Sequence, residues 1–170
     1  MILRDYNGSG RWSADQIIAR YQTYTKRFKV SPRSVEPNAT ESGDTRWIYP
    51  VMERVIVGIE EGDVACAQIG VEFIEEDQSF PFGAILKSNT ARALRRFPGL
   101  TKEQVRRIRA RVVGMLTGGR VPREYREYSR LLRKVGVGDY GSAIAAASPR
   151  NRYAERALAY YQRHVLPRRD

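Results

Sequence analysis

Cysteine and histidine occur once each, as Cys66 and His164, and no long apolar run is present. A lone thiol excludes an intrachain disulfide and fits a reducing compartment, so the expected location is cytoplasmic. Cys66 lies between Ala65 and Ala67 with no basic neighbour, which marks it as a small core residue rather than a reactive one. His164 falls within an apolar stripe, where a partly buried, hydrogen-bonded ring is expected rather than a general base. One histidine and one cysteine with no shared motif leave no basis for a Ser/His/Asp or Cys/His nucleophile. No Glu-x-x-His pair exists to build a carboxylate-bridged metal site. No cofactor, no metal and no enzymatic activity are therefore expected. The longest apolar stretch, near 55–59, is far too short to span a bilayer, and no membrane partner is expected. The opening MILRDYNGSG carries Arg4 and Asp5 and no apolar run, unlike a secretory signal.

What the chain does contain is enough apolar matter to fold and a large excess of positive charge. Of 170 residues 42% are hydrophobic, which suits one folded domain, 1–170. The net charge is +11 and the isoelectric point about 10.1. Such a balance points to a negative partner.

Apolar residues recur mostly at helical spacing. Ser13 and Gln16 have capping-box spacing, and Ile17, Tyr21, Tyr24 and Phe28 make a stripe behind them, predicting a helix over 13–28. The polar stretch 31–45, with two prolines, reads as a loop. Residues 1–45 thus form an N-terminal helix plus loop, and 46–170 the main body. Pro50 opens a helix carrying Val51, Met52, Val55 and Ile59, and a second runs over 64–77. The β-branched residues of both segments also permit a hairpin, but helices are preferred because the first pattern holds for two turns. A further helix over 84–97 turns Ile85, Leu86, Asn89, Ala93 and Phe97 to one face.

Thr101 and Gln104 form the strongest helix start, with Val105, Ile108, Val112, Met115 and Leu116 as the buried stripe. Gly118 and Gly119 stop it, and Pro122 opens a helix with Tyr125, Tyr128, Leu132 and Val135 inward. An Ala-rich turn at 142–147 leads to a last helix from Pro149, capped by Ser148, with Tyr153, Ala157, Tyr161, His164 and Val165 inward. VGIEEGDV and VGMLTGGRV resemble each other as helix end, glycine turn and new start. The expected fold is all-α: a helical bundle or short α-solenoid-like stack of about six or seven helices.

Charge is segregated along the chain. Residues 92–134 hold fourteen Lys/Arg and three acids, whereas 53–77 hold eight acids and one arginine. Arg123, Arg126, Arg130 and Arg133 follow one another at spacings of three, four and three, which lines them along one helix face. Arg152, Arg156 and Arg163 repeat the device on the last helix. Arginine predominates over lysine, and its planar fork suits phosphate. The expected binding residues are Arg123, Arg126, Arg130 and Arg133, aided by Arg106, Arg107 and Lys102. The expected partner is DNA or RNA, held by its backbone without sequence readout. The competing expectation is that the acidic segment neutralises the basic one, or that an acidic protein surface or a second copy meets the same arginines.

Three other patterns carry blander readings. Gly136, Gly138 and Gly141 have G-x-G-x-x-G spacing, with Glu155 further on, but a helical segment precedes them where a dinucleotide site needs a strand. Glu72, Glu75 and Glu76 read as a solvated helix face, and Lys87 after Asp77 as no more than an echo of an acid/lysine pair. Tyrosines on the stripes read as core, with Tyr160 the one best placed to stack on an unpaired base.

Overall fold

The computed structural model describes residues 1–79 and 81–166. It is 63% helical, with eight α-helices among the described residues, so the predicted helical class holds. One thing was not predicted: a three-stranded sheet. Its strands are β1 (Ile2–Asp5), β2 (Ala39–Ser42) and β3 (Thr45–Ile48), in the order β1-β3-β2. β2 and β3 form an antiparallel hairpin with Ser42 opposite Thr45, and Gly43 takes the positive φ of 55° that so tight a turn requires. β1 pairs parallel to β3. Most of the sheet is exposed, so it has no alternating apolar pattern by which a sequence reading could find it.

The chain divides into two compact units, Met1–Leu100 and Thr101–Asp170. The first unit holds the sheet, a 3-10 turn at Gly10–Trp12, and helices α1 (Ala14–Phe28), α2 (Val51–Glu60), α3 (Val64–Glu76) and α4 (Gly83–Arg96). α3 is central and packs against α1, α2 and α4. Asp63 caps α3 by accepting from the amides of Ala65 and Cys66. α2 and α3 approach closely at Gly58, where a Cβ would lie 2.3 Å from the Cys66 sulfur. Trp12, Ile17, Tyr21, Val55, Ile69 and Phe73 fill the core. The hairpin permitted for 51–77 is not formed.

Several local expectations fail for identifiable reasons. The Ser13–Gln16 capping box is absent, because the Ser13 amide already donates to the Gly10 carbonyl at 3.1 Å to close the 3-10 turn. Pro50 is the N-cap of α2 and not in its first turn. Ile85 is exposed, whereas Leu86, Ala93 and Phe97 of the expected stripe are buried together with Thr90 and Leu94.

The second unit comprises α5 (Lys102–Thr117), α6 (Tyr125–Val135), a 3-10 turn at Gly138–Tyr140, α7 (Gly141–Ala146) and α8 (Arg152–His164). The Thr101–Gln104 capping box is formed as predicted. Tyr125 donates to the Val112 carbonyl at 2.7 Å and accepts from Tyr161 at 3.2 Å, which ties α5, α6 and α8 through one buried hydroxyl chain. Burial pushes both phenols up, Tyr161 to about 12. α8 is capped by Asn151, not Ser148, and starts after it rather than at Pro149. His164 is exposed rather than partly buried. Asn151 also donates to the Val121 carbonyl at 3.2 Å, so the start of α8 is fixed against the segment that leads into α6.

A candidate anion-binding groove between two arginine-lined helices

The site arises from how α6 and α8 divide their faces. α6 buries Tyr125, Tyr128, Leu131 and Leu132, and α8 buries Ala154, Ala157 and Tyr161. Their seam is apolar, so the arginines between those positions are pushed to its rim. There they line a groove of 710 Å³ formed by Arg123, Arg126 and Arg130 on one side and Arg152 and Arg156 on the other. Ser129 and Ala157 contribute to the wall, with Tyr153 and Tyr160 from α8.

All five arginines except Arg130 are exposed, and Arg130 is half-buried. Arg130 reaches Glu127 at 3.0 Å, one turn back on its own helix. Among the described residues, Glu127 is the one carboxylate paired with any of these five guanidinium groups. Tyr153 reports the resulting field. Its hydroxyl accepts from Arg152 at 2.9 Å, and that bond, followed by the charges of Arg152, Arg123 and Arg156, draws the phenol below its ordinary pKa. The Arg152 guanidinium also lies 4.9 Å from the Tyr153 ring centre.

The seven residues expected to bind are not all brought together. Arg123, Arg126 and Arg130 line the groove; Arg133, on the same helix, is exposed but not part of its lining. Arg106, Arg107 and Lys102 on α5 do not line it either. Arg106 is held by Glu103 through two bonds of 2.6 and 2.8 Å, and Arg107 is half-buried and acts on the same carboxylate. Lys102 is exposed. In their place stand Arg152, Arg156 and Tyr153. The two arginines are legible as a row on the last helix. Tyr153 looks like core by spacing, but the buried face of α8 centres on Ala154, Ala157 and Tyr161 and leaves Tyr153 at its edge.

The acidic segment has partners of its own. Glu72, expected in solvent, is buried and accepts from Arg11 at 2.6 Å, Arg20 at 2.7 Å, Gln68 at 3.1 Å and Tyr24. Burial pushes its carboxyl up, but the bonds from Tyr24, Gln68 and Arg11 outweigh that and leave it below the usual value. Glu76 accepts from the Trp12 indole at 2.7 Å and pairs with Arg11 at 3.2 Å. Asp63 accepts from Tyr21, Asp77 pairs with Lys87 at 2.6 Å, Glu61 with Arg33 and Glu60 with Arg96 at 3.7 Å. Every one of these partners lies within 1–100. That unit contains thirteen basic and thirteen acidic residues and is neutral, whereas 101–170 contain seventeen basic and six acidic ones. The whole excess of +11 therefore belongs to the unit that holds the groove.

The glycine-spaced loop has a structural occupant. Arg109 donates to the Gly136 carbonyl at 2.7 Å and the Val135 carbonyl at 2.6 Å, closing the end of α6. A Cβ on Gly138 would sit 2.9 Å from that guanidinium, so the spacing serves an arginine and not a pyrophosphate. Among the described residues no group of three or more His, Cys, Asp or Glu could hold a metal ion, and no helix is long and apolar enough to cross a membrane. Comparison with protein-family models, with curated proteins and with solved structures finds no match.

Proposed function

We propose that this is a non-enzymatic, cytoplasmic binding protein whose α6–α8 groove holds nucleic-acid backbone without reading its sequence. The observation that carries this is the convergence of five arginines from two helices on one concavity, with a single carboxylate among them. Like charges this close repel along each helix. A phosphate chain placed across them relieves the repulsion and accepts forked hydrogen bonds that lysines would not supply. Two facing rows of arginines suit a run of phosphates, so the contact proposed is with backbone.

The test is titration of labelled DNA and RNA in low and moderate salt. About five phosphate contacts make affinity fall about 100- to 500-fold between about 50 and 200 mM salt. Arg126→Ala with Arg130→Ala weakens binding on every sequence and reduces the logarithmic salt slope by about two. An absence of binding in low salt rejects the reading.

Carboxylates are the other anions that guanidinium groups pair with, as Arg130 does with Glu127 on its own helix. An acidic protein surface or a second copy of the chain is therefore the second reading. Light scattering across a concentration range separates self-association from it, because a constant monomer mass removes the second copy.

A further inference from the structure

We propose that the strand held in this groove is single-stranded, with an unpaired base laid on Tyr160 between phosphates gripped from both helices. This rests on the backbone-binding reading above and narrows it. Three observations support it.

The first is shape. The arginines do not form a ridge but the two banks of a concavity of 710 Å³. A double helix carries its phosphates on a convex surface and keeps its bases stacked inside, so it reaches the outer arginines only. A single strand is narrow and flexible enough to enter with its backbone and a base together.

The second is the interleaving of rings with charges. Tyr153, Arg156 and Tyr160 follow one another along one side of α8, and all three line the groove. Tyr153 and Tyr160 are seven residues apart, about 10 Å along the helix, or two turns. Rings alternating with cations along a basic groove suit a strand whose bases are free to stack, because every base has an aromatic face. A duplex backbone gains nothing from them.

The third is that Tyr160 is held in place and Tyr153 is already committed. Tyr160 packs its edge against Tyr161, 6.1 Å between centres and 66° between planes, and Tyr161 is fully buried and bonded to Tyr125. The exposed ring of His164 lies 4.8 Å from Tyr160, one turn along. Tyr153, by contrast, has Arg152 at both its hydroxyl and its ring. Tyr160 is thus the pre-positioned stacking surface, half-buried at the groove wall.

The experiment uses the full chain and four labelled or competing probes: a mixed-sequence single strand of about 12 nucleotides, the same sequence as a duplex, an abasic strand of equal length, and a nucleoside triphosphate. Fluorescence anisotropy in low salt gives the affinities. The single strand is expected to bind about tenfold more tightly than the duplex and the abasic strand. Tyr160→Leu removes the advantage of the strand with bases over the abasic one, Tyr160→Phe keeps it, and circular dichroism confirms that both variants fold. Arg126→Ala with Arg130→Ala weakens all strands alike. Equal binding of single strand, duplex and abasic strand overturns this inference but leaves the backbone reading standing. A nucleoside triphosphate competing as well as the strand overturns it too, since one nucleotide then satisfies the site. No binding of any strand overturns both.

Discussion

Glu72 shows how one residue's role depends on what is brought to it from elsewhere in the chain. It sits on α3 beside Glu75 and Glu76, and by spacing alone all three share a wet face. In the fold, Arg11, Arg20 and Tyr24 from the N-terminal segment converge on its carboxylate, and Arg20 also lies 4.4 Å over the Trp12 ring. A buried carboxylate with two cations and a phenol is stable only while charged. Its pKa lies below the ordinary 4.5. The stabilisation is therefore complete above that ordinary value and is lost as pH falls through the lower, folded one. Glu72→Gln is expected to lower stability by about 3 kcal/mol at neutral pH, because it leaves two guanidinium groups facing a neutral amide. It is also expected to flatten the loss of stability below pH 4.5. Urea midpoints of both proteins at neutral and acid pH check this, and an unchanged acid dependence would contradict it. None of this was legible from the acids themselves, since nearly fifty residues or more separate Glu72 from each of its three N-terminal partners.

At the scale of the element, two helix starts with the same sequence signature behave differently. Thr101 and Gln104 exchange both bonds of the capping box. Ser13 and Gln16 have the same spacing and exchange neither, since a preceding 3-10 turn has taken the amide that Gln16 would serve. Thr101→Ala is accordingly expected to cost about 1 kcal/mol, and Ser13→Ala close to nothing. Chemical denaturation of the two variants measures the contrast, and equal losses would refute it. Where an apolar stripe ran for several turns, as on α5 and α6, the helix was legible because its period is a direct record of burial. The sheet was not, because its strands are short and mostly exposed and carry no such record. α8 lies between these cases. Its apolar face was found, but the stripe was drawn through Tyr153 and His164, whereas the buried face centres on Ala154, Ala157 and Tyr161 and leaves one at the groove and the other in solvent.

At the scale of the whole molecule, the two units differ sharply in charge. The first is neutral, with Glu60, Glu61, Glu72, Glu76 and Asp77 paired to cations of the same unit; the second carries the entire +11. Self-repulsion of that size destabilises the second unit, and bound anions relieve it. Tripolyphosphate is therefore expected to raise the unfolding midpoint more than chloride does at equal ionic strength. Arg126→Ala with Arg130→Ala should remove most of the difference, as differential scanning calorimetry can test. The same gain in both proteins would show that the groove is not where the anion acts. The sequence by itself determined the helical class, most helix spans, the arginine rows and their excess of charge, because periodicity and composition are local properties. Only the tertiary structure decided which arginines converge. It gathered Arg123, Arg126 and Arg130 with Arg152 and Arg156, and left Arg106 with Glu103 and Arg133 outside the groove lining. It also tied the acidic segment to the N-terminal arginines. Those outcomes depend on which helix faces bury against each other, and no spacing within one helix specifies its partner.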